Sequence, residues 1–146
     1  MDAIIKFLFE EIKPAGNLND AVANFKKWGS FPIIVEEYYA SRFDTSRIDN
    51  AIFKGYDLED GTEVKWAVRS KNKNGSIMVN SLTNKGIASR IAMLIHDPKK
   101  RQLFEIIITP QELMTALLLD HMPKYIIISD TFIEHNQDKM NILLEY

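Results

Sequence analysis

The chain has 146 residues, of which 46% are hydrophobic and 26% charged, with a net charge of -2 and no cysteine. This is the size of one ordinary domain, so a single domain over residues 1–146 is expected, and disulfides, thiolate metal sites and cysteine nucleophiles are excluded. No run approaches the roughly 20 apolar residues needed to cross a bilayer, and Met1-Asp2-Ala3-Ile4-Ile5 lacks a basic leader; a soluble, cytoplasmic protein with no membrane partner is expected.

In chain order, Ile4, Ile5, Leu8 and Ile12 form a helical stripe over residues 2–13, stopped by Pro14 and Gly16. A second helix follows, with Asn19 as cap, Ala21, Val22, Phe25 and Trp28 on one face, and Gly29 as stop. The run Ile33-Ile34-Val35 predicts a strand over residues 31–39, and residues 41–46 read as a loop. Residues 48–54 and 62–69 predict a hairpin joined loosely through 55–61. Another register turns tightly at Asp60-Gly61 and sets Asp57, instead of Asp49, beside Glu63. Asn74-Gly75 joins the second strand to one over 76–82, and Asp97-Pro98-Lys99-Lys100 separates strands over 89–96 and 102–108. Thr109-Pro110-Gln111-Glu112 combines an N-cap, a first-turn proline and a capping-box glutamate, opening a helix through Leu119. Its apolar run Leu117-Leu118-Leu119, with Met114 and Met122, suits a covered helix or a dimer interface. A buried strand over 125–129 and a short terminal helix over 138–144 complete the chain. The sum is an α+β fold with a mixed, mainly antiparallel, twisted sheet flanked by helices.

Charge is unevenly distributed. Lys65, Arg69, Lys71, Lys73, Lys85, Arg90, Lys99, Lys100 and Arg101 share the segment 64–101 with one acid, Asp97, whereas the flanking segments hold the other acids. This basic block reads either as the footprint of a polyanion or as solvated strand ends and turns.

Glu63-Val64-Lys65 is the pattern that points to chemistry. Side chains two apart on a strand share a face, so the carboxylate and the ammonium can serve one site, and Asp49 is near enough for a hairpin to bring it alongside. Two carboxylates can hold a divalent cation while a lysine steadies a water or a phosphate, which is what phosphodiester hydrolysis needs. The plain alternative is an outward-facing pair on an amphipathic strand, with Val64, Trp66 and Val68 facing inward and Asp49 capping a turn after Ser46-Arg47. His96, His121 and His135 match no metal-ligand spacing, and no Gly-x-Ser-x-Gly elbow or phosphate-binding glycine loop exists. Trp66, Tyr38 and Tyr39 suit base stacking or core packing; Phe104 suits the core.

With an acid at the start of one strand and an acid-x-lysine on the next, the chain resembles the PD-(D/E)xK nuclease superfamily, chiefly over residues 31–120. The resemblance implies a restriction-endonuclease-like core and a Mg²⁺-dependent DNA endonuclease, with Mn²⁺ as substitute, of restriction-like or repair-like type. It makes Asp49, Glu63 and the Val64 carbonyl metal ligands, and gives Lys65 the attacking water or the charge on the phosphate. Glu10 or Glu11 would add an acid. Arg69, Lys71, Lys73, Lys85 and Arg90 would bind DNA, and double-strand cleavage would require a homodimer or a partner subunit. The rival expectations are a non-catalytic binding protein, such as a small phage-encoded or immunity-type inhibitor, and a plain nucleic-acid-binding module. Convergence of Asp49 with Glu63 would separate the first from the nuclease.

Overall fold

Apolar residues four apart, Ile34 with Tyr38 and Val35 with Tyr39, mark a helical stripe, and residues 31–42 form helix α1 (Phe31–Arg42). The strand expected at 31–39 is therefore a correction: the β-branched run is one turn of a helix whose buried face has period 3.6. The structure is a computed structural model that describes residues 31–49, 55–69, 75–82 and 87–145. The helices expected at 2–13 and 19–29, Glu10 and Glu11 with them, lie outside the described residues. So do Lys71, Lys73, Lys85 and most of the strand expected at 48–54.

Beyond α1 come β1 (Thr62–Val68), β2 (Ile77–Asn80), β3 (Arg90–Asp97), β4 (Gln102–Ile108), α2 (Pro110–Ala116), β5 (Tyr125–Ile128), α3 (Asp130–His135) and β6 (Met140–Glu145). Four strands form a mixed sheet in the order β1-β3-β4-β6, and β2 pairs with β5 in a second, two-stranded sheet. β1 runs parallel to β3, with Val64 opposite Ala92, while β3-β4 and β4-β6 are antiparallel. The fold is α+β with a mixed, mostly antiparallel sheet flanked by helices. Among the described residues no helix is long and apolar enough to cross a membrane.

Alternation along β3 divides the core between the two faces of this sheet. Ala92 and Leu94 meet Ile34, Val35, Tyr38 and Tyr39 of α1 on one face. Ile91, Met93 and Ile95 join the inward side chains of β2 and β5 and those of Leu113, Phe132 and Ile133 on the other. Phe104 is in the core, as expected, and so are Tyr38 and Tyr39.

Further local expectations change. Asn74 lies outside the described residues; on either side of it Arg69 and Ile77 form an isolated antiparallel bridge, and β2 pairs with β5 in an antiparallel ribbon rather than with β1. That ribbon buries Ile126 and Ile128 but exposes Tyr125 and Ile127, so β5 is covered on one face only. The helix at 138–144 is a single 3₁₀ turn, Gln137–Lys139, followed by β6; the open edge of β4 offers backbone partners that outweigh weak helical preference. The capping box forms as expected, with Thr109 Oγ1 accepting from Glu112 N–H and Glu112 from Thr109 N–H. α2 nevertheless stops at Ala116, where Leu118 turns left-handed at φ 56° and Leu119 N–H reaches Met114 C=O at 2.8 Å.

A buried carboxylate ties α1 to the sheet. Glu105, on β4 and fully buried, accepts from the Tyr39 hydroxyl at 2.9 Å and from Asn141 Nδ2 at 3.0 Å, and pairs with Arg42. Burial and this neighbour push the Tyr39 hydroxyl well above the usual tyrosine range. Replacing Glu105 with Ala strands the Tyr39 hydroxyl and leaves Arg42, which water reaches in part, unpaired. Urea unfolding is expected to show a loss of about 2–4 kcal/mol, against about 1 kcal/mol for Tyr39→Phe.

Candidate functional site

The site is built on β1, which has β3 on one side and, among the described residues, no strand on the other. The turn before it is tight. Asp57 and Leu58 both donate backbone N–H to Thr62 C=O at 3.0 Å, and Gly61 N–H reaches Leu58 C=O at 2.9 Å. Gly61 sits at φ 93°, and a Cβ there would lie 2.7 Å from Ser89 Oγ, so only glycine fits. This is the tight register at Asp60-Gly61. It folds Asp57 back onto the edge of β1 that faces away from β3, where its Oδ2 accepts the Val64 backbone N–H at 2.8 Å. A residue's N–H and C=O project to the same side of a strand, so the Val64 carbonyl faces that edge too.

One cavity of about 390 Å³ opens here, and its lining includes Glu36 from α1, Asp57 from the turn, Glu63, Val64, Lys65 and Trp66 from β1, and Met78 and Asn80 from β2. Glu63 is 2% exposed and Lys65 Nζ lies 3.5 Å from its Oε1. The pair is thus no solvated surface pair. In register with Ile91 and Met93, Glu63 and Lys65 sit on the sheet face that β2 covers, whereas Val64 and Trp66 sit on the face of α1. Glu36 is raised above the usual carboxylate range by burial and then by the nearby charge of Asp57, against the opposing pull of Arg47.

Asp49, expected to join Glu63, is exposed, outside any strand and not among the cavity's lining residues. Asp57 stands there in its place. The reason is the turn: residues 55–61 do not span a loose hairpin but close on Thr62, which brings the acid within that segment to the strand. Glu36 was missed because its segment read as a strand; the helical spacing of Ile34, Val35, Tyr38 and Tyr39 was the signal available.

Of two arginines expected to bind DNA, Arg69 is engaged inside the fold and Arg90, 34% exposed, is engaged at its surface. Arg69 is 7% exposed, with Nε 2.8 Å from Asp97 Oδ2, Nη2 2.9 Å from Asp130 Oδ1 and Nη1 donating to Gly75 C=O at 2.7 Å. Burial alone would lower its pKa, but Asp130 and Asp97 hold it above the ordinary value. Arg90 donates from Nε to Thr62 Oγ1 at 2.8 Å, pairs with Asp60 and lies 3.7 Å over the Phe43 ring. Both arginines brace strand ends.

As metal donors, Asp57, Glu63 and the Val64 carbonyl are all oxygen, the set that suits Mg²⁺. Among the described residues no group of three or more His, Cys, Asp or Glu could hold a metal ion. Mg²⁺ keeps several waters and commonly takes only one or two carboxylates, so the donors fit it. The sequence matches no protein-family model and none of the curated proteins compared with it.

Two outcomes test this description. Arg69→Met leaves Asp97 buried without its cation, so thermal or urea unfolding is expected to show a loss of about 3–5 kcal/mol, a structural effect that DNA-binding arginines on a surface would not produce. For Glu36 the sign is opposite to that of a stabilising carboxylate. Its folded pKa lies above the unfolded one, so its charge costs stability at neutral pH, and the cost fades as pH falls through the folded pKa. Glu36→Gln is expected to stabilise the fold at pH 7 by less than about 1 kcal/mol, with the difference gone near pH 4.

Proposed function

We propose that the chain is a Mg²⁺-dependent endonuclease of the restriction-endonuclease-like class that hydrolyses phosphodiester bonds of DNA in the cytoplasm, with Asp57 in the role expected of Asp49. One observation carries the reading: helix α1, the 57–62 turn and β1 deliver Glu36, Asp57, Glu63 and Lys65 to a single cavity at a strand edge. Glu63 is buried and Lys65 largely so, and each desolvated charge costs stability.

Asp57, Glu63 and the Val64 carbonyl would hold Mg²⁺, with Mn²⁺ as substitute; when bound, the ion polarises the phosphoryl oxygen and lowers the pKa of a bound water. The chain's own groups do the rest. Lys65, steadied by Glu63 at 3.5 Å, offers N–H donors to a non-bridging oxygen or to the attacking water. Glu36, whose burial raises its proton affinity, is placed to receive the proton that the water gives up. The Val64 N–H holds Asp57 in place through a backbone contact that needs no side-chain ordering. One site cuts one strand, so double-strand cleavage would take a homodimer or a partner subunit.

The test is cleavage of supercoiled plasmid, linear duplex, branched and single-stranded DNA with Mg²⁺ or Mn²⁺, comparing variants at equal folded concentration. Asp57→Asn, Glu63→Ala and Lys65→Ala are each expected to lose at least about a hundredfold in rate, and Asp49→Ala to cut as the unaltered chain does. No metal-dependent cutting by the unaltered chain would overturn the nuclease and favour a binding protein. Loss on Asp49→Ala without loss on Asp57→Asn would overturn the assignment of the acids.

A further inference from the structure

Of the acids that line the cavity, Glu36 has a cation at its side. Arg47 Nε stands 3.3 Å from Glu36 Oε1, and the two side chains are 24% and 16% exposed, so the guanidinium is partly shielded beside a lining residue, though Arg47 is not itself part of the lining. Backbone bonds hold it there. Arg47 bridges to Leu58, Ile48 N–H donates to Asp57 C=O at 2.9 Å, and Glu59 N–H donates to Ser46 C=O at 2.8 Å. The segment that presents Arg47 is thus paired with the segment that presents Asp57, and the two stay in register.

The contact itself is modest. It uses one nitrogen at 3.3 Å, whereas arginine's planar fork matches carboxylate or phosphate best through two short parallel bonds. The local charge count explains why it is made at all. Among the described residues that line the cavity, Glu36, Asp57 and Glu63 bring three negative charges and Lys65 one positive, and Arg47 offsets part of that difference at Glu36. A divalent cation would change that balance. Three carboxylates against Mg²⁺ and Lys65 already sum to zero, and Arg47 becomes one positive charge in surplus beside a site that takes a singly charged phosphodiester.

We propose that Arg47 is an exchangeable counter-ion: it neutralises Glu36 while the cavity is without metal, yields Glu36 when Mg²⁺ enters, and then binds one backbone phosphate of the DNA substrate. The inference rests on the reading of the cavity as the Mg²⁺ site of a nuclease. Arg47 acts here as a phosphate-binding residue, coupled to the metal through Glu36. The coupling makes tight DNA engagement depend on a loaded site, and it gives Arg47 a role that the buried Arg69 does not share.

The first arm of the test titrates Mn²⁺ calorimetrically without DNA. Arg47→Gln removes the competing charge and is expected to bind the ion about three- to tenfold more tightly, Arg47→Lys to bind as the unaltered chain does, and Glu63→Gln to lose binding. Unchanged or weaker binding by Arg47→Gln, with binding still lost in Glu63→Gln, overturns the exchange and leaves the cavity reading standing. Ion binding that Glu63→Gln does not affect, or no binding by the unaltered chain, overturns both.

The second arm measures duplex affinity against salt in the non-cutting Lys65→Ala background. With Mg²⁺, adding Arg47→Gln is expected to reduce the slope of log affinity against log salt by about one, and to change it little in EDTA. Glu36→Gln, which frees Arg47 without metal, is expected to show the steeper slope even in EDTA. Equal slopes for Arg47→Gln and its parent in Mg²⁺, or an equal reduction in both conditions, overturn the proposal; so does a shallow Glu36→Gln slope in EDTA.

Discussion

A backbone N–H of a buried strand must find a partner, and the Val64 N–H of β1, which points away from β3, finds the Asp57 carboxylate at 2.8 Å. Much of the molecule's character follows from that choice of acceptor. A carbonyl would have satisfied the strand with no charge, whereas a carboxylate brings an ion to the strand's rim and keeps it there. The turn that makes this geometry requires glycine at position 61, since Ser89 Oγ would lie 2.7 Å from any Cβ. Ser89 N–H in turn donates to Gly61 C=O at 2.9 Å, which fixes the start of β1 beside the start of β3. The edge acid, the parallel pairing and the cavity are parts of one arrangement.

Around that edge the fold spends its charges on bracing. On the α1 side of the sheet, Glu105 gathers Tyr39, Arg42 and Asn141, linking α1, β4 and β6. At the far end of β1, Arg69 joins Asp97 of β3 to Asp130 of α3, and Lys100 adds to the same acid at 3.4 Å. Desolvated pairs of this kind are weak sources of net stability but costly to break, so they fix how helices and strands sit more than how tightly the chain folds. Within the basic segment, Arg69 and Arg90 are matched to acids from other segments.

The cavity differs from these networks in one respect. Glu105 and Arg69 are surrounded by complementary groups, whereas at the edge of β1 the cavity's lining brings Glu36, Asp57 and Glu63 together with Lys65, and Glu36 is held above the usual carboxylate range by burial and then by Asp57. The gathering of these side chains in one cavity, with Arg47 paired to Glu36, is the observation on which the proposed nuclease and the proposed part of Arg47 rest.

What the sequence determined by itself was local. The Thr109-Pro110-Gln111-Glu112 cap, the Asp97-Pro98 hairpin and the alternation of β3 and β4 are set by contacts within a few residues, and each was legible. So was the shared face of Glu63 and Lys65, because period two is a property of the strand alone. Tertiary structure decided the rest, for stated reasons. Residues 31–42 became a helix because Ile34, Val35, Tyr38 and Tyr39 cover one face of a sheet made far along the chain. Residues 140–145 became a strand because β4 offered an open edge, and β2 left β1 for β5 because its inward side chains complete the second core. The choice between Asp49 and Asp57 lay beyond any local rule: both are acids before the same strand, and only closure of the 57–62 turn against β1, with α1 bringing Glu36 from the other face, selects the one that shares a cavity with Lys65.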